Sequence, residues 1–134
     1  MLIENFYPDT SIWLDVYEKR GKNGELSLRL FSKIIKENLH IHYSDLNVKE
    51  LKNLGYASEI SKIFDVFKLN LRKVHIYKKQ IDEANKISKA KNVPRKDVLQ
   101  AILCRDNFLQ LISRDRHFER LRDITIAKLP EDFI

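Results

Sequence analysis

The sequence predicts an α/β fold with three layers, in which a central, mainly parallel sheet of about five strands lies between helices on both faces. Short apolar, β-branched runs alternate along the chain with longer segments whose apolar residues recur at helical spacing. Only three glycines and three prolines interrupt the 134 residues, which favours long helices with short connections. Alternation of strands and helices is typical of a parallel sheet that is covered on both sides.

The length and composition predict one domain, residues 1–134, with a single packed core. Apolar residues make up 43% of the chain, which is too much for a disordered protein. No apolar stretch approaches the roughly 20 residues that span a bilayer, and no secretory signal is recognisable. Cys104 is the one cysteine, so an intrachain disulfide is excluded. We therefore expect a cytoplasmic protein that does not enter a membrane.

The chain is basic, with a net charge of +6 and a pI of about 9.4. Phosphates attract Lys and Arg side chains and release counterions when they bind, so this balance suits a nucleic-acid partner. Many soluble proteins without such a partner are equally basic, and the charge alone therefore favours nucleic acid only modestly.

The first half of the chain contains two predicted strands and four predicted helices. Asp9 or Thr10 provides an N-cap for the first helix, and Gly55 ends the third. We expect, in order, a strand over 2–7, a helix over 10–20, a turn over 21–24, a helix over 25–37, a strand over 39–43, and helices over 45–54 and 56–68.

The second half repeats the alternation. Residues 73–77 are β-branched and alternate in polarity, which predicts a strand, and Pro94 lies near the first position of a later helix. We expect, in order, a strand over 73–77, helices over 78–91 and from about 94 to 107, a strand over 108–113, a short helix from 115, and a last strand near 124–126.

Four acidic residues lie at or near the ends of the predicted strands. Asp9 and Asp115 directly follow strands, Glu50 lies on the helix after the second strand, and Asp97 lies in the first turns of the helix that begins near Pro94. Ligands of parallel sheets bind outside the carboxyl ends of the strands. We therefore expect these four carboxylates to converge in one cleft.

Convergence of four carboxylates predicts a metal site. Carboxylates a few ångströms apart raise each other's pKa and destabilise the fold unless a cation neutralises them. All-oxygen ligand sets favour Mg²⁺ or Mn²⁺ over zinc. Nearby hydroxyl groups would hydrogen-bond the carboxylates or a metal-bound water and so fix the orientation of the ligands. The candidate hydroxyls are those of Thr10, Ser11 and Ser113.

Each acid also has an ordinary structural interpretation. Asp9 and Asp115 could simply cap the helices that follow them, and Asp97 could favour the dipole of its helix. Glu50 taken alone is more typical of a solvated helix position. Because four acids fall at matching places, a shared metal site is favoured over four separate explanations.

The order and spacing of these segments resemble those of PIN-domain proteins, of the kind found in VapC-type toxins and related ribonucleases. The acidic residues lie in PDTSIW, YSDLNVKEL, VPRKDVLQAIL and FLQLISRDRHFERL, and the chain closes with ITIAKLPEDFI. The last two acids are 18 residues apart, as is usual in this family, and Ser-Arg-Asp-x-x-Phe at 113–118 is the most specific fragment. The resemblance covers nearly the whole chain.

This resemblance implies a metal-dependent nuclease, most often an endoribonuclease that hydrolyses RNA phosphodiester bonds with Mg²⁺ or Mn²⁺. The four acids would then be both the catalytic residues and the metal ligands. The second acid is the least well marked in sequence, and Glu50 has competitors in Asp45 and Glu59. We favour Glu50 because it follows the second strand by about two turns of helix.

The resemblance also implies partners. RNA would be the substrate, and a toxin would have an antitoxin protein; PIN domains also commonly form homodimers. Candidate phosphate contacts flank the predicted ligands at Arg95, Arg114 and Arg116. Candidate groups for stacking on bases are Trp13, Tyr43 and His117, although Trp13 is favoured as a packing residue of the first helix.

Two other functions use the same fold. A non-catalytic PIN-like module would bind RNA or protein without cutting it, although the presence of all four acids argues against a degenerate site. A structure-specific DNA nuclease would use the same acids, but the extra helices such enzymes tend to carry are missing from so short a chain.

Overall fold

The computed structural model describes residues 2–134; Met1, the first residue of the predicted domain, lies outside the described residues. The strands are β1 (Asn5–Pro8), β2 (His40–Tyr43), β3 (Leu71–Lys73) and β4 (Gln110–Ile112). The helices are α1 (Thr10–Tyr17), α2 (Gly21–Lys36), α3 (Asp45–Asn53), α4 (Ile60–Phe64), α5 (Lys78–Lys91) and α6 (Arg95–Asn107).

The strands form one parallel sheet in the order β3-β2-β1-β4. Phe6 of β1 lies opposite Ile41 of β2 on one side and Gln110 of β4 on the other. The predicted parallel α/β architecture is confirmed. Within residues 2–134 the sheet has four strands rather than about five.

Helices cover both faces of the sheet, as the predicted three layers require. Successive residues of a strand point to opposite faces, and Phe6 and Tyr7 accordingly enter two different cores. The core on the Tyr7 side is formed with α5 and α6. The core on the Phe6 side is formed with α1 to α4, and Trp13 lies at its centre in edge-to-face contact with Phe31 and Phe64.

The segment over 21–24 is the first turn of α2 and not a separate turn, which corrects the prediction. Gly21 begins the helix with φ of +58°, a backbone conformation that favours glycine. Gly24 is buried against α1, and a Cβ there would lie 2.5 Å from the carbonyl oxygen of Asp15. Both glycines therefore permit a tight junction between α1, which ends at Tyr17, and α2.

The strand predicted over 73–77 is wrong, because the paired residues are 71–73. The last contact with the sheet is the hydrogen bond from the Val74 amide to the Tyr43 carbonyl, at 2.8 Å. Val74 and Ile76 still pack against the core while His75 and Tyr77 are exposed. The alternation therefore reflects one buried side of an extended loop and not a strand.

The strand predicted near 124–126 is also wrong. The amides of Ile124 and Thr125 both donate to the Leu121 carbonyl and close a turn. The chain then touches β4 through a single parallel bridge between Ile112 and Lys128. The helix predicted over 56–68 is divided into a 3₁₀ turn, α4 and a second 3₁₀ turn, and its apolar residues nevertheless fill the Phe6-side core.

None of the helices within residues 2–134 combines the length and the apolar character needed to cross a membrane.

Candidate metal centre

A cleft of about 340 Å³ opens at the carboxyl ends of β1 and β4, where α1 and α6 begin. We call it the acidic cleft. All four acids identified in the sequence line it, although they come from four different elements of the fold. The residues on which its chemistry depends are Asp9, Ser11, Glu50, Asp97, Gln100 and Asp115.

Asp9 is held at the N-terminus of α1. Its amide donates to the Ile112 carbonyl of the neighbouring strand at 2.9 Å. Its carboxylate caps the helix by accepting from the Ile12 amide at 3.1 Å, and Ser11 Oγ donates to the same oxygen at 2.9 Å. The capping role and a place in the cleft thus coexist, because the second carboxylate oxygen is not used by the helix.

That second oxygen is connected to Asp115 through Ser113. Ser113 Oγ donates to Asp9 Oδ2, and it accepts from the Asp115 amide at 3.0 Å. Ser113 is 4% exposed, so water competes little for these bonds. The hydroxyl therefore sets the position of Asp115 relative to Asp9 across two adjacent strands.

Asp97 and Asp115 meet at a histidine. His117 Nδ1 lies 2.8 Å from Asp97 Oδ2 and 3.3 Å from Asp115 Oδ1. The nitrogen and the two carboxylate oxygens all lie within 4.8 Å of one another. Asp97 itself is 3% exposed in the first turn of α6. These three side chains, of which Asp115 and His117 are exposed, form a group of metal-ligating atoms at the edge of the cleft.

Glu50 reaches the cleft from α3, where it accepts a hydrogen bond from Lys96 Nζ at 2.6 Å. Of the two competing acids, Asp45 pairs with Lys73 at 2.8 Å and Glu59 accepts from the Tyr17 hydroxyl at 2.8 Å. Neither of these two lines the cleft.

Thr10 also lines the cleft, but its hydroxyl is hydrogen-bonded to α3 and not to one of the four acids. Thr10 Oγ1 accepts from Asn47 Nδ2 at 3.2 Å, and Asn47 Oδ1 accepts from the Ser44 amide at 2.9 Å. Ser44 Oγ in turn is 2.7 Å from the hydroxyl of Tyr7. This buried chain ties the start of α3 to β1 and α1, and so fixes the helix that presents Glu50.

The electrostatics of the cleft disfavour bare carboxylates. Burial raises the pKa of Asp9 from 3.8 to about 6, although hydrogen bonds from Ser113, Ile12 and Ser11 act in the opposite direction. Burial and the neighbouring Asp115 carboxylate raise the pKa of Asp97. A divalent cation would favour the ionised forms of both groups.

A further observation also fits a cation or its coordinated water in this place. Gln100 follows Asp97 by one helical turn and lines the acidic cleft. Its Oε1 atom is buried and accepts no hydrogen bond from residues 2–134. Buried carbonyl oxygens without a partner are costly, and they are normally satisfied by water, an ion or a ligand.

Two grooves with basic side chains adjoin the acidic cleft. The first, which we call the lysine groove, has a volume of about 300 Å³ and shares Glu50, Lys96 and Gln100 with the cleft. It contains the predicted phosphate contact Arg95 together with Lys49.

The second, the arginine groove, is of similar volume and borders Ser113 and Asp115. It contains Arg116, Arg122 and Lys128. Arg114 also lines it, but its guanidinium is held by Glu131 through two hydrogen bonds of 2.8 and 3.0 Å. Of the three predicted phosphate contacts, Arg114 is thus the one committed to an internal ion pair.

The side chains expected to stack on bases lie in different settings. Trp13 is 1% exposed in the core, where no base could reach it. Tyr43 packs beside Phe64 at a ring separation of 4.8 Å. His117 lies at the acids, and its position two residues after Asp115 is a signal that sequence reasoning did not use.

Comparison with known proteins gives one family. The family model for the PIN domain matches residues 6–124. One similar solved structure is that of VapBC2 from Rickettsia felis bound to a DNA fragment from the VapBC2 promoter. The similarity to one of its chains covers 92% of this chain and 97% of that chain, with a TM-score of 0.66 and 18% sequence identity. PAE2754 from Pyrobaculum aerophilum is similar over 98% and 95%, with a TM-score of 0.62 and 18% identity. No curated protein matches the chain.

Asp9→Asn is expected to stabilise the metal-free protein. The folded-state pKa of about 6 lies above the ordinary value of 3.8, so ionised Asp9 costs stability above pH 6 and that cost disappears as the pH falls towards 4. The free energy of unfolding in urea with EDTA should therefore rise by about 1–3 kcal/mol at pH 7.5, and by much less at pH 4.5.

The matched control is Asp82→Asn on the exposed face of α5, which should change the unfolding free energy by less than about 0.5 kcal/mol at either pH. A wild-type protein that equals or exceeds Asp9→Asn in stability at pH 7.5 would contradict the electrostatic description of the cleft.

Proposed function

Because the chain belongs to the PIN domain family, we propose that it is a metal-dependent endoribonuclease that hydrolyses RNA phosphodiester bonds at the acidic cleft. PIN domains are generally metal-dependent nucleases. The observation that supports the proposal is the convergence of Asp9, Glu50, Asp97 and Asp115 in one cleft from positions spread over most of the chain. Four acids without a common task would be costly to gather there.

In this proposal the four carboxylates hold Mg²⁺ or Mn²⁺. Such a cation, when bound, supplies activation of water near neutral pH and neutralisation of charge on the phosphoryl group. Ser11 and Ser113 orient the Asp9 carboxylate through their hydrogen bonds. Burial of Asp9 and Asp97 keeps bulk water away from the carboxylates, so their charges act in a less polar environment.

The substrate strand would cross the cleft from one basic groove to the other. Phosphates on one side of the scissile bond would meet Lys49, Arg95 and Lys96, and those on the other side would meet Arg116 and Lys128. Lysine and arginine contacts of this kind hold the backbone without reading sequence. Lys96 is suited to the task by its place at the junction of the cleft and the lysine groove, and its exposed ammonium can contact a phosphate while it stays beside Glu50.

We further propose that the protein is the toxin of a toxin–antitoxin pair and that it forms a homodimer. The support is the resemblance of the acidic segments to VapC-type toxins, together with the similarity of the whole fold to a chain of the VapBC2 complex. A toxin requires an intact centre, and all four acids are present.

The protein is expected to cleave single-stranded RNA in the presence of Mg²⁺ or Mn²⁺. Asp97→Asn should reduce the rate at least about a hundredfold, because it removes charge from the cleft while an amide oxygen can still accept from His117. Cleavage is measured on matched RNA and DNA oligonucleotides, with Asp82→Asn as the control that keeps full activity.

Cleavage that persists in excess EDTA would contradict the metal dependence. Faster cleavage of the DNA oligonucleotide would favour the DNA nuclease. Salt-sensitive RNA binding without cleavage under any divalent ion would favour the non-catalytic module.

Measurement of metal affinity distinguishes Glu50 from Asp45 and Glu59 as the second of the four acidic ligands. Glu50→Gln is expected to weaken Mn²⁺ binding at least about tenfold, because it removes a charged ligand, whereas Asp45→Asn and Glu59→Gln should leave binding unchanged. The measurement is a calorimetric titration of each variant with Mn²⁺. A loss of affinity in Asp45→Asn or Glu59→Gln, with Glu50→Gln unaffected, would reassign the second ligand.

The toxin proposal is tested in cells. Expression of the wild-type protein should stop growth, while Asp97→Asn, produced at the same level, should not, because only the wild type cleaves RNA. Growth of cells that contain active wild-type protein would remove the toxin role and leave the nuclease proposal standing.

A further inference from the structure

We propose that His117 is a nitrogen ligand of the divalent cation and that it makes the centre prefer Mn²⁺ to Mg²⁺. The inference rests on the proposed metal centre but not on nuclease activity. It concerns a residue that lies outside the four acids and that the chain supplies from the turn after β4.

His117 Nδ1 lies between two acids of the proposed metal centre. Both neighbours of His117 Nδ1 are carboxylate oxygens, Asp97 Oδ2 at 2.8 Å and Asp115 Oδ1 at 3.3 Å. Ionised carboxylates and a neutral imidazole nitrogen are all electron-pair donors, which is what a cation requires of its ligands. A cation placed among these three atoms would meet the ring nitrogen directly.

The distances between Nδ1 and the two carboxylate oxygens fit a shared ion. Ligand atoms about 2.1 Å from a six-coordinate ion and at right angles to each other lie about 3.0 Å apart. The separations of 2.8 and 3.3 Å between Nδ1 and the two oxygens are close to this value. Within residues 2–134, Asp97, Asp115 and His117 are also the group whose ligand atoms lie near enough to share one ion.

The imidazole ring of His117 is held in place by its backbone and by the turn that carries it. The His117 amide donates to Asp115 Oδ1 at 2.9 Å, so the backbone of His117 is fastened to one of the acids it would join in ligation. The 3₁₀ turn over 116–121 is anchored by Phe118 and Leu121, which are 2% and 0% exposed. The ring is therefore presented to the acids by a packed turn.

Mg²⁺ and Mn²⁺ differ in how readily they accept a nitrogen ligand. Oxygen-only sites suit Mg²⁺, whereas imidazole is a softer ligand that transition metals accept more readily than Mg²⁺ does. Adding one nitrogen to a set of carboxylates would thus raise affinity for Mn²⁺ relative to Mg²⁺. Gln100 lines the same cleft, and its buried Oε1 has no hydrogen-bond partner among the described residues, which independently fits an ion or its water beside it.

The experiment measures Mn²⁺ bound to the full chain by pulsed electron paramagnetic resonance, without any RNA. The wild type is expected to show modulation from a directly coordinated ¹⁴N nucleus. His117→Asn should abolish it, although the amide nitrogen of Asn can still donate to Asp97 from the place of Nδ1. His75→Gln, at an exposed histidine after β3, is the matched control and should retain it.

Competition between the two ions gives a second measurement. The ratio of Mn²⁺ to Mg²⁺ affinity should fall at least about fivefold in His117→Asn and stay unchanged in His75→Gln. If His117 only positioned Asp97 through a hydrogen bond, His117→Asn would keep the ratio, and this outcome would overturn the proposal. Circular dichroism and urea unfolding verify that each variant is folded.

The outcomes separate this proposal from the proposed function. Bound Mn²⁺ without ¹⁴N modulation in the wild type overturns ligation by His117 and leaves the nuclease proposal intact. Bound Mn²⁺ with ¹⁴N modulation but no RNA cleavage supports ligation and overturns the nuclease. Failure of the wild type to bind Mn²⁺ overturns both.

Discussion

The hydrogen bond from Ser113 to Asp9 is the interaction on which the arrangement of the acidic cleft depends. It crosses between the ends of two adjacent strands, next to the hydrogen bond from the Asp9 amide to Ile112. The same hydroxyl accepts from the amide of Asp115, so one buried side chain sets two of the four acids. Asp115 then fixes the backbone of His117, which contacts Asp97. The parallel sheet brings the carboxyl ends of the strands to one edge, and these hydrogen bonds fix the relative positions of the side chains there.

The parallel sheet and the meeting of the four acids at its edge could be predicted from the sequence. Strand and helix alternation predicted the parallel sheet, because that signal depends on local periodicity. The strand predicted over 73–77 was wrong because burial of alternate residues does not require pairing with a neighbouring strand. The strand predicted near 124–126 was wrong because residues 124 and 125 close a turn on Leu121. The acids could be located because the carboxyl ends of parallel strands share one edge. The contacts of His117 and Arg114 could not be predicted, because a 3₁₀ turn sets the partners of His117 and Arg114 pairs with Glu131, 17 residues away.

The charge of the protein is distributed in a way that the net value of +6 conceals. Buried negative groups lie in the middle, and cationic grooves flank them on two sides. Lys96 stands between the two kinds of surface and neutralises Glu50. The positive surroundings lower the cost of gathering carboxylates, and they also attract a polyanion towards them. One distribution of charge therefore favours both the stability of the fold and the approach of an anionic ligand.

The order in which the four acids occur along the chain has a consequence for synthesis on the ribosome. Asp9 and Glu50 emerge early, but Asp97 and Asp115 belong to the last third of the 134 residues. Glu131, which holds Arg114 beside Asp115, emerges later still. A nascent chain thus lacks part of the centre until the segment from Asp97 to Asp115 has been synthesised, since chains emerge N-terminus first. A centre assembled in this order would be completed only after residue 115 has left the ribosome, when the sheet edge that gathers the acids can form.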